Sequence, residues 1–330
     1  ADPLLRLLED AENDTVCKFA IRCLEGDFEE RLRQLEPAWL ARVAGKSLPT
    51  VDGFVVKILE GNPQFHQSKL ADLGLRDMVI GLLRSDNDKA VRYAIDYCNA
   101  HAPDIDLDML LELAERGGKA LTAFVVARVE KLSPRDLGLP RLVRMLAISS
   151  LQELAEKKLA DGFTPGDIDQ ETYVTLATGD RAQQSFIADF YKKAKAKIPT
   201  AYLRAHVESP DVSRRDLRRV MKELGERPAS EIGIEWLRTN LFDDRFGSTI
   251  SSWLTAGMLK GDDLDVEWVK SLVARPSWRT LALDLLGNTE LVAPHRIGSK
   301  WLLKAARHSD GRVGQFAHDY LLHHFSPGDF

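Results

Sequence analysis

The sequence predicts an all-α chain of stacked antiparallel helix pairs, and three observations carry that expectation. A turn signature rich in Pro, Asp and Ser recurs about every 32 residues. Between recurrences, apolar residues fall at i, i+3, i+4, i+7 and i+8, which is one face of an α-helix. No run of alternating β-branched residues suggests a strand.

Composition sets the class. The chain has 330 residues, 45 Lys+Arg, 50 Asp+Glu, a formal charge of -5 and 44% hydrophobic residues. That is too apolar for a disordered chain and too balanced for a histone-like nucleic-acid binder. No stretch approaches the ~20 apolar residues of a membrane span. Cys17, Cys23 and Cys98 are too few for a disulfide framework at this length, and they read as thiols of a reducing, cytoplasmic setting. Ala1-Asp2-Pro3 opens no signal peptide, having neither a basic n-region nor an apolar h-region. The last residues, Ser326-Pro327-Gly328-Asp329-Phe330, resemble the turn that opens another unit. The expectation is a single array over residues 1–330, cut from a longer protein whose catalytic domain, if it has one, can lie outside it.

The turn signature is Ser133-Pro134-Arg135-Asp136-Leu137, then Thr164-Pro165-Gly166-Asp167-Ile168, then Pro228-Ala229-Ser230-Glu231-Ile232. It returns as Gly261-Asp262-Asp263-Leu264 and Ala293-Pro294-His295-Arg296-Ile297, with a shorter form at Ala102-Pro103-Asp104-Ile105. With Ile198 included, the closing apolar residues stand at 105, 137, 168, 198, 232, 264, 297 and 330, in steps of 30 to 34. Pro stops one helix, and Asp or Ser caps the next. Four residues past this apolar position comes a ring: Tyr202, Trp236, Trp268 and Trp301, with Trp39 after Leu35. A large ring at one place in each unit suits a contact between units.

The apolar stripes follow in order. Val16, Phe19, Ala20, Cys23 and Leu24 begin the series, then Val51, Phe54, Val55, Ile58 and Leu59, then Ala90, Tyr93, Ala94, Tyr97 and Cys98. Next are Leu121, Phe124, Val125 and Val129; Leu151, Leu154, Ala155 and Leu159; Phe186, Ile187, Phe190 and Tyr191. The last are Leu217, Val220, Met221 and Leu224; Ile250, Trp253, Leu254 and Met258; Trp278, Leu281, Ala282, Leu285 and Leu286; and Val313, Phe316, Ala317, Tyr320 and Leu321. That makes about ten helix pairs. One pair cannot bury both its apolar faces, so stacked pairs bury each other's. Spacing is loosest over residues 25–73, where 45–50 and 61–64 read as extended loops. Residues 240–247 form another.

Asp88-Lys89-Ala90-Val91-Arg92-Tyr93-Ala94 and Asp310-Gly311-Arg312-Val313-Gly314-Gln315-Phe316-Ala317 resemble the second helix of HEAT-like and armadillo-like α-solenoids. The middle units lack the capping Asp and the Arg. The resemblance implies a right-handed superhelix whose second helices line a concave, binding face. It implies a non-enzymatic scaffold or recognition module that takes a protein partner there. Nucleic-acid backbone binding is the alternative. HEAT-like DNA glycosylases make base excision a remote third, but no set of acidic and aromatic residues on a basic surface can be placed here.

Charge is uneven: residues 111–220 carry 19 basic and 15 acidic side chains, whereas residues 1–110 carry 13 and 20. At 100° per residue, Arg215, Arg219 and Lys222 project opposite the core stripe of their helix, with Arg218 beside them. Lys192 and Lys157 hold equivalent repeat positions. These six residues are the candidate site for an anionic partner, a phosphate backbone or an acidic segment. The bland alternative is a solvated face, with Lys192, Lys193, Lys195 and Lys197 complementing a helix dipole. Phe242 and Phe246 are a candidate loop hot spot, or they staple the loop to its own unit. Asp104, Asp106 and Asp108 only start a calcium loop, since the Gly it needs is Met109, and they read as helix-capping acids. His318, His323 and His324 lack the spacing of metal ligands. Nothing calls for a cofactor, a metal or a catalytic residue.

Overall fold

The structure, a computed structural model, describes residues 1–46 and 48–326. Ser47 of the first expected loop lies outside the described residues. So do Pro327–Phe330 of the last turn signature. All regular structure among the described residues is helical. None of these helices is long and apolar enough to cross a membrane. Each sequence stripe falls mainly on a helix, although Leu151 and Trp278 precede theirs and Met258 lies beyond the end of its own. They run from Asp14–Asp27, Pro49–Gly61 and Asp88–His101 to Arg279–Gly287 and Gly311–His324.

Two compact units divide the described residues. The first holds residues 1–168 with 180–186, the second 169–179 with 187–330. The Arg181–Lys193 helix therefore gives its first residues to one unit and the remainder to the other. The turn signature occurs in both.

In the first unit, consecutive helices pack as pairs: Asp2–Asp10 on Asp14–Asp27, Pro37–Ala44 on Pro49–Gly61, Leu107–Arg116 on Lys119–Glu130. Their second members then stack in order, Asp14–Asp27 on Pro49–Gly61 on Asp88–His101 on Lys119–Glu130. The second unit repeats this with Gly247–Thr255, Arg279–Gly287 and Gly311–His324. Polar contacts record the same spacing. Arg141 donates to Asp108 from 33 residues away, Arg144 to Glu115 from 29 and Arg116 to Asp86 from 30. In the second unit Trp236 Nε1 donates to Glu208 at 2.6 Å across 28 residues. Two of the periodic rings meet a cation about thirty residues earlier in the sequence: Trp268 lies under Arg238 and Trp301 under Lys270.

The turn signature does more than stop one helix and start the next. Pro134–Leu137, Ala229–Ile232 and Pro294–Ile297 are one-turn helices of their own. Each is followed by a glycine in the left-handed region: Gly138 at φ 75°, Gly233 at 95° and Gly298 at 77°. Side-chain residues avoid that conformation, so the glycine is what lets the chain turn into the next helix. The expected loops are also shorter than read. Pro49 opens a helix rather than ending a loop, as its fixed φ suits the first turn. Residues 63–65 form a 3-10 turn.

The first stripe is shifted by one residue. Cys17, Ala20, Ile21 and Leu24 are buried, while Phe19 is 59% exposed. Both sets fit a helical period, and the packing of Asp2–Asp10 and Pro49–Gly61 on this helix goes with the smaller one.

Candidate anion-binding groove

The Arg214–Gly225 helix is started by Ser213, whose hydroxyl accepts from the Asp216 N–H at 3.1 Å. Val220, Met221 and Leu224 are buried, and Leu217 is partly covered. That fixes the rotation of the helix, so Arg214, Arg215, Arg218, Arg219 and Lys222 are exposed. Arg219 stands 3.6 Å from Asp216 on the same helix. Among the described residues, Arg214, Arg215, Arg218 and Lys222 have no carboxylate oxygen within 4.0 Å. Several cations of the first unit do hold an acidic neighbour, as Arg84, Arg116, Arg141 and Arg144 do. Here four unpaired cations share one helix.

A groove of about 760 Å³ runs between this helix and the Gly247–Thr255 helix. Arg214, Arg218 and Lys222 line one side, with Asp244 and Arg245 across from them. Leu217, Met221 and the half-buried Trp253 supply apolar lining. Arg245 is held at 3.1 Å by Asp243, and hydrogen bonds from Arg245 keep the Asp243 carboxyl below the usual range. The groove thus joins unpaired cations to aliphatic and indole surface. It can take up an anionic chain that also carries apolar side chains, with the carboxylates or phosphates on the cations.

The structure separates the six sequence-predicted cations. Arg218 and Lys222 line the groove. Arg215 and Arg219 are exposed on the same helix but outside the lining. Lys192 is exposed in the last turn of Arg181–Lys193. Lys157 is exposed on Gln152–Gly162 in the first unit, so no stripe joining it to the others is described. Arg214, Arg245 and Trp253 were not singled out by the sequence. Arg214, Arg218 and Lys222 form an i, i+4, i+8 row that the helical period contains. Arg245 comes from a loop whose path only folding sets.

Of the two loop aromatics, Phe246 is fully buried and stacks on Trp236 with ring centroids 5.8 Å apart and planes 9° apart. It cannot meet a partner, because the indole of its own unit already covers it. Phe242 is 36% exposed. It packs edge-on against Trp278 at 5.6 Å and under the Arg275 guanidinium at 4.1 Å.

The remaining candidates have structural work. Asp106 caps Leu107–Arg116, accepting from the Asp108 and Met109 N–H groups. Asp104 and Asp108 bind Arg76 and Arg141; a backbone N–H and then Arg76 hold the Asp104 carboxyl below the usual range, and Arg141 does so for Asp108. His323 contacts the Asp319 carbonyl, and His324 packs on Tyr320 at 4.4 Å. Among the described residues, no three His, Cys, Asp or Glu side chains come together in a way that would hold a metal. Burial pushes the Cys17 thiol up and the Cys98 thiol up to about 11, which removes thiolate character.

Lys158 and His206 are among the buried polar residues that the sequence reading passed over. Lys158 is buried beside the exposed Lys157, and its ammonium donates to the carbonyls of Glu130 and Leu132. It caps the end of Lys119–Glu130. His206 is fully buried, and neither ring nitrogen has a partner among the described residues. The helical period places Lys158 at the i+7 position of the Leu151 stripe and His206 beside Leu203 and Val207, so the signal was a polar residue at an apolar position. No family model matches this sequence, and no curated protein matches it.

Proposed function

We propose that the chain is a non-catalytic recognition module that binds an acidic, partly apolar segment of a protein partner. The module is a HEAT-like α-solenoid of about ten helix pairs, a right-handed superhelix with second helices on its concave side. Helix stacking in sequence order and polar bonds across about thirty residues support that reading. The binding site is the groove between Arg214–Gly225 and Gly247–Thr255. One observation carries it: Arg214, Arg218 and Lys222 lack acidic partners and border an apolar lining of Leu217, Met221 and Trp253. A bare phosphate chain would use the cations and leave the aliphatic surface wet. An acidic segment bearing Leu or Phe uses both. The three free thiols support a reducing, cytoplasmic setting.

The test is fluorescence anisotropy with a labelled peptide carrying Asp and Glu on one face and Leu and Phe on the other. Expected is binding that survives moderate salt in part and is lost in an Arg218→Glu/Lys222→Glu variant. Failure to bind at low salt, or equal binding by the variant, overturns the assignment.

Nucleic-acid backbone binding is the second reading, favoured by four unpaired cations on one helix. Counterion release makes it fall steeply with salt. Labelled single- and double-stranded DNA and RNA in the same titration separate the two, since only the peptide gains from the apolar lining.

A further inference from the structure

We propose that the second unit holds another, separate site for an acidic amphipathic segment, between the Val266–Leu272 and Ser299–Ala305 helices. It goes beyond the function proposed above and does not depend on it. A groove of about 800 Å³ lies there. Lys270, Lys300, Lys304 and Arg307 line it, and no carboxylate does. Lys300, Lys304 and Arg307 have no acidic partner within 4.0 Å among the described residues. Lys270 is bonded to Glu267 at 2.6 Å and stands 5.8 Å from the centre of the Trp301 ring.

Apolar surface sits among these charges. Trp301 is half-buried in the lining, and Leu303 beside it is 47% exposed. A Leu left in water between two lysines gains most from a partner that is apolar at that point and acidic on either side. Helix electrostatics account for only part of the charge. Lys304 and Arg307 suit the C-terminal end of Ser299–Ala305, but Lys300 is in its first turn, where the dipole disfavours a cation. An anionic occupant supplies the missing reason for Lys300.

The two grooves use different helices. The first is bordered by helices that carry the apolar stripes, Arg214–Gly225 and Gly247–Thr255. This one is bordered by the helices that follow Leu264 and Ile297 and bear the periodic rings Trp268 and Trp301. Each groove holds one tryptophan, which makes the sites separately observable.

The experiment is ¹⁹F NMR of the full chain labelled with 5-fluorotryptophan. Trp253→Phe and Trp301→Phe assign the two resonances among the six tryptophans. The acidic amphipathic peptide described above is then titrated in, with a Lys300→Glu/Lys304→Glu variant alongside. The expected result is a saturable shift of the Trp301 resonance that the variant loses, while its other five resonances stay in place and show it folded. An unmoved Trp301 resonance overturns the second site, even where Trp253 moves and the first site stands. Movement of Trp301 without Trp253 supports this site and removes the first. A Trp301 shift that persists in the variant, or one given by duplex DNA and not by the peptide, overturns the assignment of an acidic protein segment.

Discussion

The indole of Trp253 lies so close against Gly225 that a Cβ there would stand 2.8 Å from the indole nitrogen. Gly225 ends the helix that carries the unpaired arginines, so this contact ties their helix to the wall of the groove. Gly225→Ala gains about 1 kcal/mol of helix propensity. Against that, displacing a packed ring costs about 1–3 kcal/mol. The clash wins, and a net loss near 1 kcal/mol is expected in urea denaturation. The displaced indole also weakens binding of the acidic peptide, which anisotropy reads directly.

Phe246 and Phe242 differ in consequence. Phe246 is fully buried on Trp236. Phe246→Ala removes a buried ring and leaves a cavity, at about 3–5 kcal/mol. Phe242 keeps 36% of its surface in water, so Phe242→Ala costs well under half as much. Equal losses in parallel denaturation curves would contradict the stapling of the loop by Phe246.

Lys158 is a structural cation. Its ammonium serves two carbonyls, Glu130 and Leu132, at the end of a neighbouring helix. Lys158→Met keeps the aliphatic stem and removes the donor, so the carbonyls lose their partner at about 1–3 kcal/mol. Lys157→Met, on the exposed side of the same turn, is expected to change stability by less than about 0.5 kcal/mol. Thermal unfolding of the two variants checks the contrast.

His206 gives the fold a dependence on pH. Burial is the main cause that lowers its pKa to about 4 from 6.5, with the Arg219 charge adding to it and Asp216 opposing. The unfolded chain therefore binds this proton more readily than the folded one. Stability is full above about pH 6.5, falls as pH drops toward 4, and levels below that. The loss approaches about 3 kcal/mol. His206→Phe, which keeps an apolar ring beside Tyr173, flattens this part of the profile. Urea titrations between pH 7 and 4 measure it, and an unchanged slope in the variant would place the titration elsewhere.

The helical class was legible before any coordinates, because the 3.6-residue period of Val51, Phe54, Val55, Ile58 and Leu59 fits only a helix. The recurrence near 32 residues was legible too, since a Pro-Asp turn must be rewritten in sequence each time it is used. The exposure of Arg215, Arg218, Arg219 and Lys222 followed from the core residues of the same helix. Choices between equivalent local options were not legible. Phe19 and Ile21 both lie on possible helical stripes, and the packing of the neighbouring helices on that helix leaves Phe19 in water. Arg245 and Trp253 join Arg218 through a loop and a helix more than twenty residues away. Lys158 and His206 lie on the apolar faces of their helices, but the carbonyls that Lys158 finds and the partners that His206 lacks are set by how other helices pack. A local period reports how one helix is sided, whereas a groove or a buried charge depends on several helices meeting, and that is settled only when they pack.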